Sequence, residues 1–278
     1  MRNVFFNKYL AKLYHRVGEF FIIQLLIKII LTIHSTDNIY IKKIKNEITR
    51  VSIKNIYYWK ILHSPKKEVE SEFLDFIKEK ISEPRIILDL GSRDAMQSIE
   101  FSIIYPGAKI FAFECNPPGL KKCRDNVVNL ENIEIVPKAV YNKNGKIKFY
   151  SVVSNNIGGS SLFKYKVKGK PKQKEIEVDA IRIDTWAKNR GIDKIDLCWM
   201  DLQGAEYEAL EGMGDLIFNV QALFVEVELQ EIFSGQKLFN DLTGFLKQKG
   251  FTMIKYHSFI SNWWGNAIFL NDKLIENN

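Results

Sequence analysis

A chain of 278 residues, 46% of them hydrophobic, can bury one sizeable core with an appendage. Three cysteines (Cys115, Cys123, Cys198) are too few and too oddly spaced for a disulfide framework or a zinc site, so reduced thiols in a reducing, cytoplasmic compartment are expected. The net charge of +7 is uneven: residues 1–60 carry 11 Lys/Arg against 3 Asp/Glu, and Lys164, Lys166, Lys168, Lys170, Lys172 and Lys174 form a second basic run without an acid.

Two basic patches on an otherwise acidic body fit anionic partners at defined places, such as a phosphorylated glycan or a membrane surface. Ordinary solvated lysine is the alternative. No nucleic-acid partner is expected.

The chain opens with Arg2, Lys8, Lys12 and Arg16 ahead of an apolar run, 20–33. That is the outline of a signal peptide or anchor. The run is shorter than the roughly 20 apolar residues of a spanning helix, it contains Gln24 and Lys28, and no small-residue cleavage site follows. Gln24 and Lys28 share one helical face, as suits an interfacial helix with membrane association, or one packed on the body or on a second copy in a homo-oligomer. Residues 1–60 are therefore expected to be a basic extension containing helix 20–33, and residues 61–278 the main domain.

Within that domain the periodicity predicts a helix over 68–81 and a first strand over 85–90. A helix near 98–105, a strand at 109–114, a helix at 118–130 and a strand at 133–136 follow. This strand–helix alternation is one nucleotide-binding half of a parallel sheet. Two further strands, 146–153 and 174–183, then form a β-hairpin insertion, about 142–183 in all. Gly169 and Pro171 interrupt the alternating lysines, so a mobile charged tip is expected there. A strand at 195–201, a helix at 204–212, a strand at 222–228 and a helix at 238–249 return to the parallel pattern. Strands 251–256 and 266–270 close the sheet as an antiparallel pair. Seven strands ending in such a pair fit a Rossmann-like, class I methyltransferase sheet within an α/β class.

The carboxyl ends of parallel strands form the binding crevice. Asp89, Glu114 and Asp201 end three of them, and Glu114 stands where an acid grips a ribose diol. A pyrophosphate needs closely spaced glycines, whereas the first turn has Gly91 alone. The turn therefore suits a nucleoside ligand without phosphates.

Residues 85–270 resemble the FkbM-type S-adenosylmethionine-dependent methyltransferases. The resemblance rests on Asp89-Leu-Gly91, Ile110-Phe-Ala-Phe-Glu-Cys-Asn-Pro117, Asn126, Ala139-Val140, Ser160-Ser-Leu162, Ile183-Asp-Thr185, Trp199-Met-Asp-Leu-Gln-Gly-Ala-Glu206 and Glu226. It implies methyl transfer from S-adenosyl-L-methionine, commonly to a hydroxyl of a sugar, glycan or glycoside. The cofactor-binding set it implies is Asp89, Gly91, Ser92, Glu114, Cys115, Asn116, Ala139, Asp201 and Gln203. In that set Asp89 and Gly91 would cradle the methionine part, Glu114 the ribose, and Asp201 would sit near the methyl group. The chain departs from the family's usual Asp-x-Gly-Ala-Asn-x-Gly at Arg93 and Ala95. It departs again where Trp199-Met-Asp-Leu-Gln203 replaces Lys-x-Asp-x-Glu.

An alcohol acceptor must lose its proton. Asp201, Glu226 and His257 are the catalytic candidates, with Glu228 weighed as structural. No metal is expected, because no compact ligand motif is present. Trp263 and Trp264 suit either a sugar face or core packing. A catalytically silent membrane-docking module, or an NAD(P)-dependent sugar-modifying enzyme, are the alternatives.

Overall fold

The computed structural model describes residues 74, 77–128, 130–154, 157–258 and 263–273. The expected extension 1–60 with helix 20–33 lies outside them. Among the described residues, no helix is long and apolar enough to cross a membrane.

In chain order the elements are β1 (Ile86–Leu90), α1 (Met96–Ile104), β2 (Lys109–Phe113), α2 (Pro117–Asn126), β3 (Ile133–Val136), β4 (Ala139–Val140), β5 (Gly145–Val152) and β6 (Gln173–Ile181). Then come α3 (Ile183–Lys188), β7 (Ile195–Met200), α4 (Glu206–Glu211), a 3₁₀ turn (Gly214–Asn219), β8 (Val220–Glu228), α5 (Phe239–Gln248), β9 (Phe251–Ser258) and β10 (Trp264–Asn271).

The main sheet runs β3-β2-β1-β7-β8-β10-β9. Its first five strands are parallel, and β10 pairs antiparallel with both β8 and β9. The central strands are buried on both faces, which is why they read as continuous apolar runs rather than alternating ones. One face packs Leu88, Leu90, Phe111, Phe113, Met200 and Val225 into the main core. Asp196 fixes the start of the sheet: its Oδ2 accepts hydrogen bonds from the Arg85 and Ile86 amides at 2.7 and 2.9 Å, tying β7 to β1.

The insertion departs from the expected simple hairpin. β5 and β6 are antiparallel as expected, but β4 joins β6 in parallel to make a separate three-stranded sheet, β4-β6-β5. Its core is Ala139, Phe149, Val178 and Ala180.

The start of the lysine run is anchored to the body. Tyr165 bridges to Phe233, with the rings stacked 4.8 Å apart. The Lys166 amide donates to the Ile232 carbonyl at 2.9 Å, and the Ser234 amide to the Lys164 carbonyl at 2.8 Å. Lys166 pairs with Glu231, and Lys164 with Glu175. The segment is thus laid against the loop after β8, while Lys168, Lys172 and Lys174 stay exposed.

Candidate active site

The strand register brings the acids into one row. Leu90 pairs with Phe113 and with Met200, and Met200 with Val225, so Glu114, Gly91, Asp201 and Glu226 follow side by side at the carboxyl edge. Glu226 pairs with Asn266, and Asn266 with His257. His257 is thus two strands beyond Glu226, about 10 Å away at the usual strand spacing, and it is exposed on β9.

The turn after β1 is built from left-handed residues: Gly91 (φ 88°), Arg93 (φ 55°) and Ala95 (φ 61°). A Cβ on Gly91 would overlap the Asp201 carbonyl oxygen and lie 2.9 Å from its carbon. The glycine is therefore required by the closeness of two strand ends. Arg93 and Ala95 occupy left-handed positions that Asn and Gly tolerate more readily. The Arg93 side chain stands outward beside Asp94, at 3.3 Å.

Asp89 is buried, and its Oδ2 accepts from the Ser92 and Ser98 hydroxyls at 2.7 and 2.5 Å. It ties the turn to α1, with Ser92 as its partner. Burial raises its pKa to about 6. Glu114 accepts from the Arg93 amide at 2.8 Å and the Asn116 amide at 2.7 Å. A Cβ on Gly119 would sit 2.8 Å from its carboxyl carbon, so the first turn of α2 also presses on it. Burial pushes Glu114 up to about 7. The carboxylate retains acceptor capacity beyond these backbone bonds, which fits the ribose of S-adenosylmethionine, while the single-glycine turn fits a ligand without phosphates.

Cys115 is half-buried beside Glu114, and burial pushes its thiol well up. Asn116 is turned toward the insertion: it donates to the Ser160 hydroxyl at 3.2 Å and accepts from Ser151 at 2.9 Å. Ala139 is packed in the core of the small sheet. Trp263 and Trp264 are half-buried, and the Trp263 carbonyl accepts from the Leu229 amide at 2.8 Å.

Around Asp201 the structure gives Gln203 a second role and adds Glu206, which sequence reasoning left without one. The Gln203 amide Nε2 lies 2.6 Å from Asp201 Oδ1 and 2.6 Å from Glu226 Oε2, bridging the two carboxylates. Glu206 accepts from the Leu202 and Gly204 amides at 2.7 and 3.0 Å and shapes that turn. Its signal was the Glu five residues past Asp201 in the quoted motif. Glu228 joins as well: Glu206, Glu226 and Glu228 each offer an oxygen, all within 4.8 Å of one another and all buried. Hard cations take such oxygens, although both oxygens of Glu206 are already engaged.

Burial lifts Glu206 to about 8, and it lifts Glu226 and Glu228 well above the carboxylate range, with mutual repulsion adding to it. A carboxyl whose pKa is raised in the folded state binds more protons there than in the unfolded chain. The stability it contributes is complete below the unfolded value, about 4, and is lost as pH rises through the folded one. Stability of the cofactor-free protein is therefore expected to fall between about pH 4.5 and 8, with Glu114 alone worth about 3 kcal/mol between about pH 4.5 and 7. Urea unfolding across that range checks this, and a flat or rising profile contradicts it.

The Methyltransferase FkbM domain matches residues 89–253. The chain is 29% identical over 165 residues to the 2-O-methyltransferase NoeI of Sinorhizobium fredii, across 54% of this chain and 66%, just under two thirds, of that protein. Among solved structures it is similar to a precorrin-6y C5,15-methyltransferase from Geobacter metallireducens (13% identity, 70% of this chain and 86% of that one, TM-score 0.39). It is also similar to Aeropyrum pernix fibrillarin with bound S-adenosyl-L-methionine (10% identity, 67% and 66%, TM-score 0.42). The domain match spans more than half of the sequence, from the acid of the first turn to the last strand pair, so the chain belongs to the FkbM methyltransferase family.

Proposed function

We propose that the protein methylates a hydroxyl of a sugar, glycan or glycoside. The observation that carries this is the Asp201–Glu226 pair, set on adjacent strand ends beside the Gly91 turn and bridged by a neutral donor. An alcohol is a weak nucleophile until a positioned base takes its proton, which is typically worth about 10²–10⁴-fold. Two carboxylates facing one donor supply that base. The relative named as a 2-O-methyltransferase supports an oxygen acceptor.

When bound, S-adenosylmethionine supplies an electrophilic methyl group on a positively charged sulfur. It would yield that methyl to the acceptor oxygen and leave as the neutral thioether, while the hydroxyl proton would pass to the Asp201–Glu226 pair. Gly91 would admit the donor close to Asp201 and Glu114 would hold the ribose, with the insertion joined to that edge at Asn116. Exposed Lys168, Lys172 and Lys174 suit an anionic acceptor.

Full-length protein incubated with methyl-labelled S-adenosylmethionine and a panel of glycosides, each with matched deoxy and anionic forms, tests this. Label is expected in a glycoside and absent from its deoxy counterpart at one position. Label found only in non-carbohydrate acceptors overturns the proposal.

A further inference from the structure

The Ser160-Ser161 pair lies in the insertion, far in sequence from the acids of the main sheet, yet it is bonded to two strand ends of that sheet. Ser160 meets Asn116 at the end of β2. Ser161 is fully buried and donates from its hydroxyl to the Gln203 carbonyl at 2.7 Å, past the end of β7. Its own position is fixed, because its backbone exchanges two hydrogen bonds with Tyr150 of β5 and its hydroxyl accepts from the Phe163 amide at 3.0 Å.

The peptide group joining Gln203 to Gly204 is thereby held at both of its polar atoms. Its carbonyl accepts from Ser161, and its N–H donates to Glu206 at 3.0 Å. Holding matters here because Gln203 is in the left-handed region (φ 55°), which a side chain with a Cβ adopts only when its surroundings impose it. Gly204 (φ 97°) continues the turn, and a Cβ there would meet the Phe233 ring at 3.1 Å. From this backbone the Gln203 amide reaches Asp201 and Glu226 equally, 2.6 Å each.

We infer that Ser161 is a positioning residue for the reaction: from the insertion, it holds the Gln203 turn in the conformation that keeps the Gln203 amide between Asp201 and Glu226. The inference rests on the reading of that pair as the proton acceptor, and its test needs no acceptor substrate. Among the described residues, acids surround the pair: Glu228 of β8, Glu206 of α4 and Asp89 of β1. Neutral Asn266 is next in register, with His257 beyond it. The Gln203 N–H donated to Glu226 favours its ionised form. Without it Glu226 keeps its proton to higher pH, and the site meets the positively charged sulfur of the cofactor less well.

Calorimetric titration of full-length protein with S-adenosylmethionine, and with uncharged-sulfur S-adenosylhomocysteine as control, from about pH 5.5 to 9, tests this. In Ser161→Ala and Gln203→Ala the midpoint of the S-adenosylmethionine profile is expected to move up by about one pH unit. The double variant should match Gln203→Ala alone, because residues acting through one another are non-additive. The homocysteine profile should move less. An unshifted profile in folded Ser161→Ala, or shifts that add in the double variant, overturns the inference. If Ser161→Ala melts low, Ser161→Cys, whose thiol is a weak donor, carries the same comparison. Failure here leaves the base reading standing, since that reading falls only if Asp201→Asn retains full turnover on an identified acceptor.

Discussion

Gly91→Ala is expected to lower the melting temperature by about 5–20 °C and to weaken S-adenosylmethionine binding by more than about tenfold. Two separate costs add at this position. The backbone is left-handed (φ 88°), and a new Cβ would overlap the Asp201 carbonyl. The atoms in the way have little freedom: the Gly91 amide donates to the Phe113 carbonyl at 3.1 Å, and the Asp201 amide donates to the Leu90 carbonyl at 3.0 Å. Relief requires β1 and β7 to part at the carboxyl edge, where the cofactor is proposed to bind. Gly107→Ala is the control, because a Cβ there meets nothing within 4 Å. Thermal melts and calorimetry on both variants decide the matter, and a Gly91→Ala protein that melts within about 2 °C of the wild type contradicts the account.

The case of Gly91 also shows what could be read from the chain and why. Strands buried on both faces announce themselves as apolar runs, so β1, β2, β3 and β7 fall within a residue or two of where the pattern put them. The acids at their ends were legible too, since a parallel sheet presents its carboxyl edge to ligand. A two-residue strand such as β4 has no periodicity to detect. The contact between residues 164–166 and 232–234 joins segments distant in sequence, and local propensity carries no information about it.

The left-handed turns were hidden for a different reason. Arg93, Ala95 and Gln203 are residue types that give no sign of positive φ, so the strain is visible only in the structure. At Gln203 the comparison with the family pattern showed a missing carboxylate. It could not show that the replacing amide sits between two others. His257 lies within β9, one residue from its end, and its exposure follows from the edge position of that strand, which depends on β10 inserting between β8 and β9.

Turnover should separate the two carboxylates of the pair. Asp201→Asn is expected to lower methyl transfer by about 10²–10⁴-fold, the usual worth of a positioned base, with S-adenosylmethionine affinity changed only a few-fold. Glu226→Gln should cost less than about tenfold. The difference follows from burial. Glu226 is 8% exposed, and desolvation, reinforced by Asp201, holds its pKa well above the ordinary carboxylate range. A glutamine copies the shape and neutrality of a protonated glutamic acid, so the site loses little. Asp201 is half-buried at the crevice edge, with one oxygen engaged by Gln203, and can receive a proton from an arriving hydroxyl. Asparagine keeps its size and loses that capacity. Steady-state kinetics on the acceptor found in the glycoside panel, with His257→Ala as the comparison two strands away, give the ranking directly. If Glu226→Gln proves the more damaging change, the base is Glu226, and Asp201 is the group that positions it.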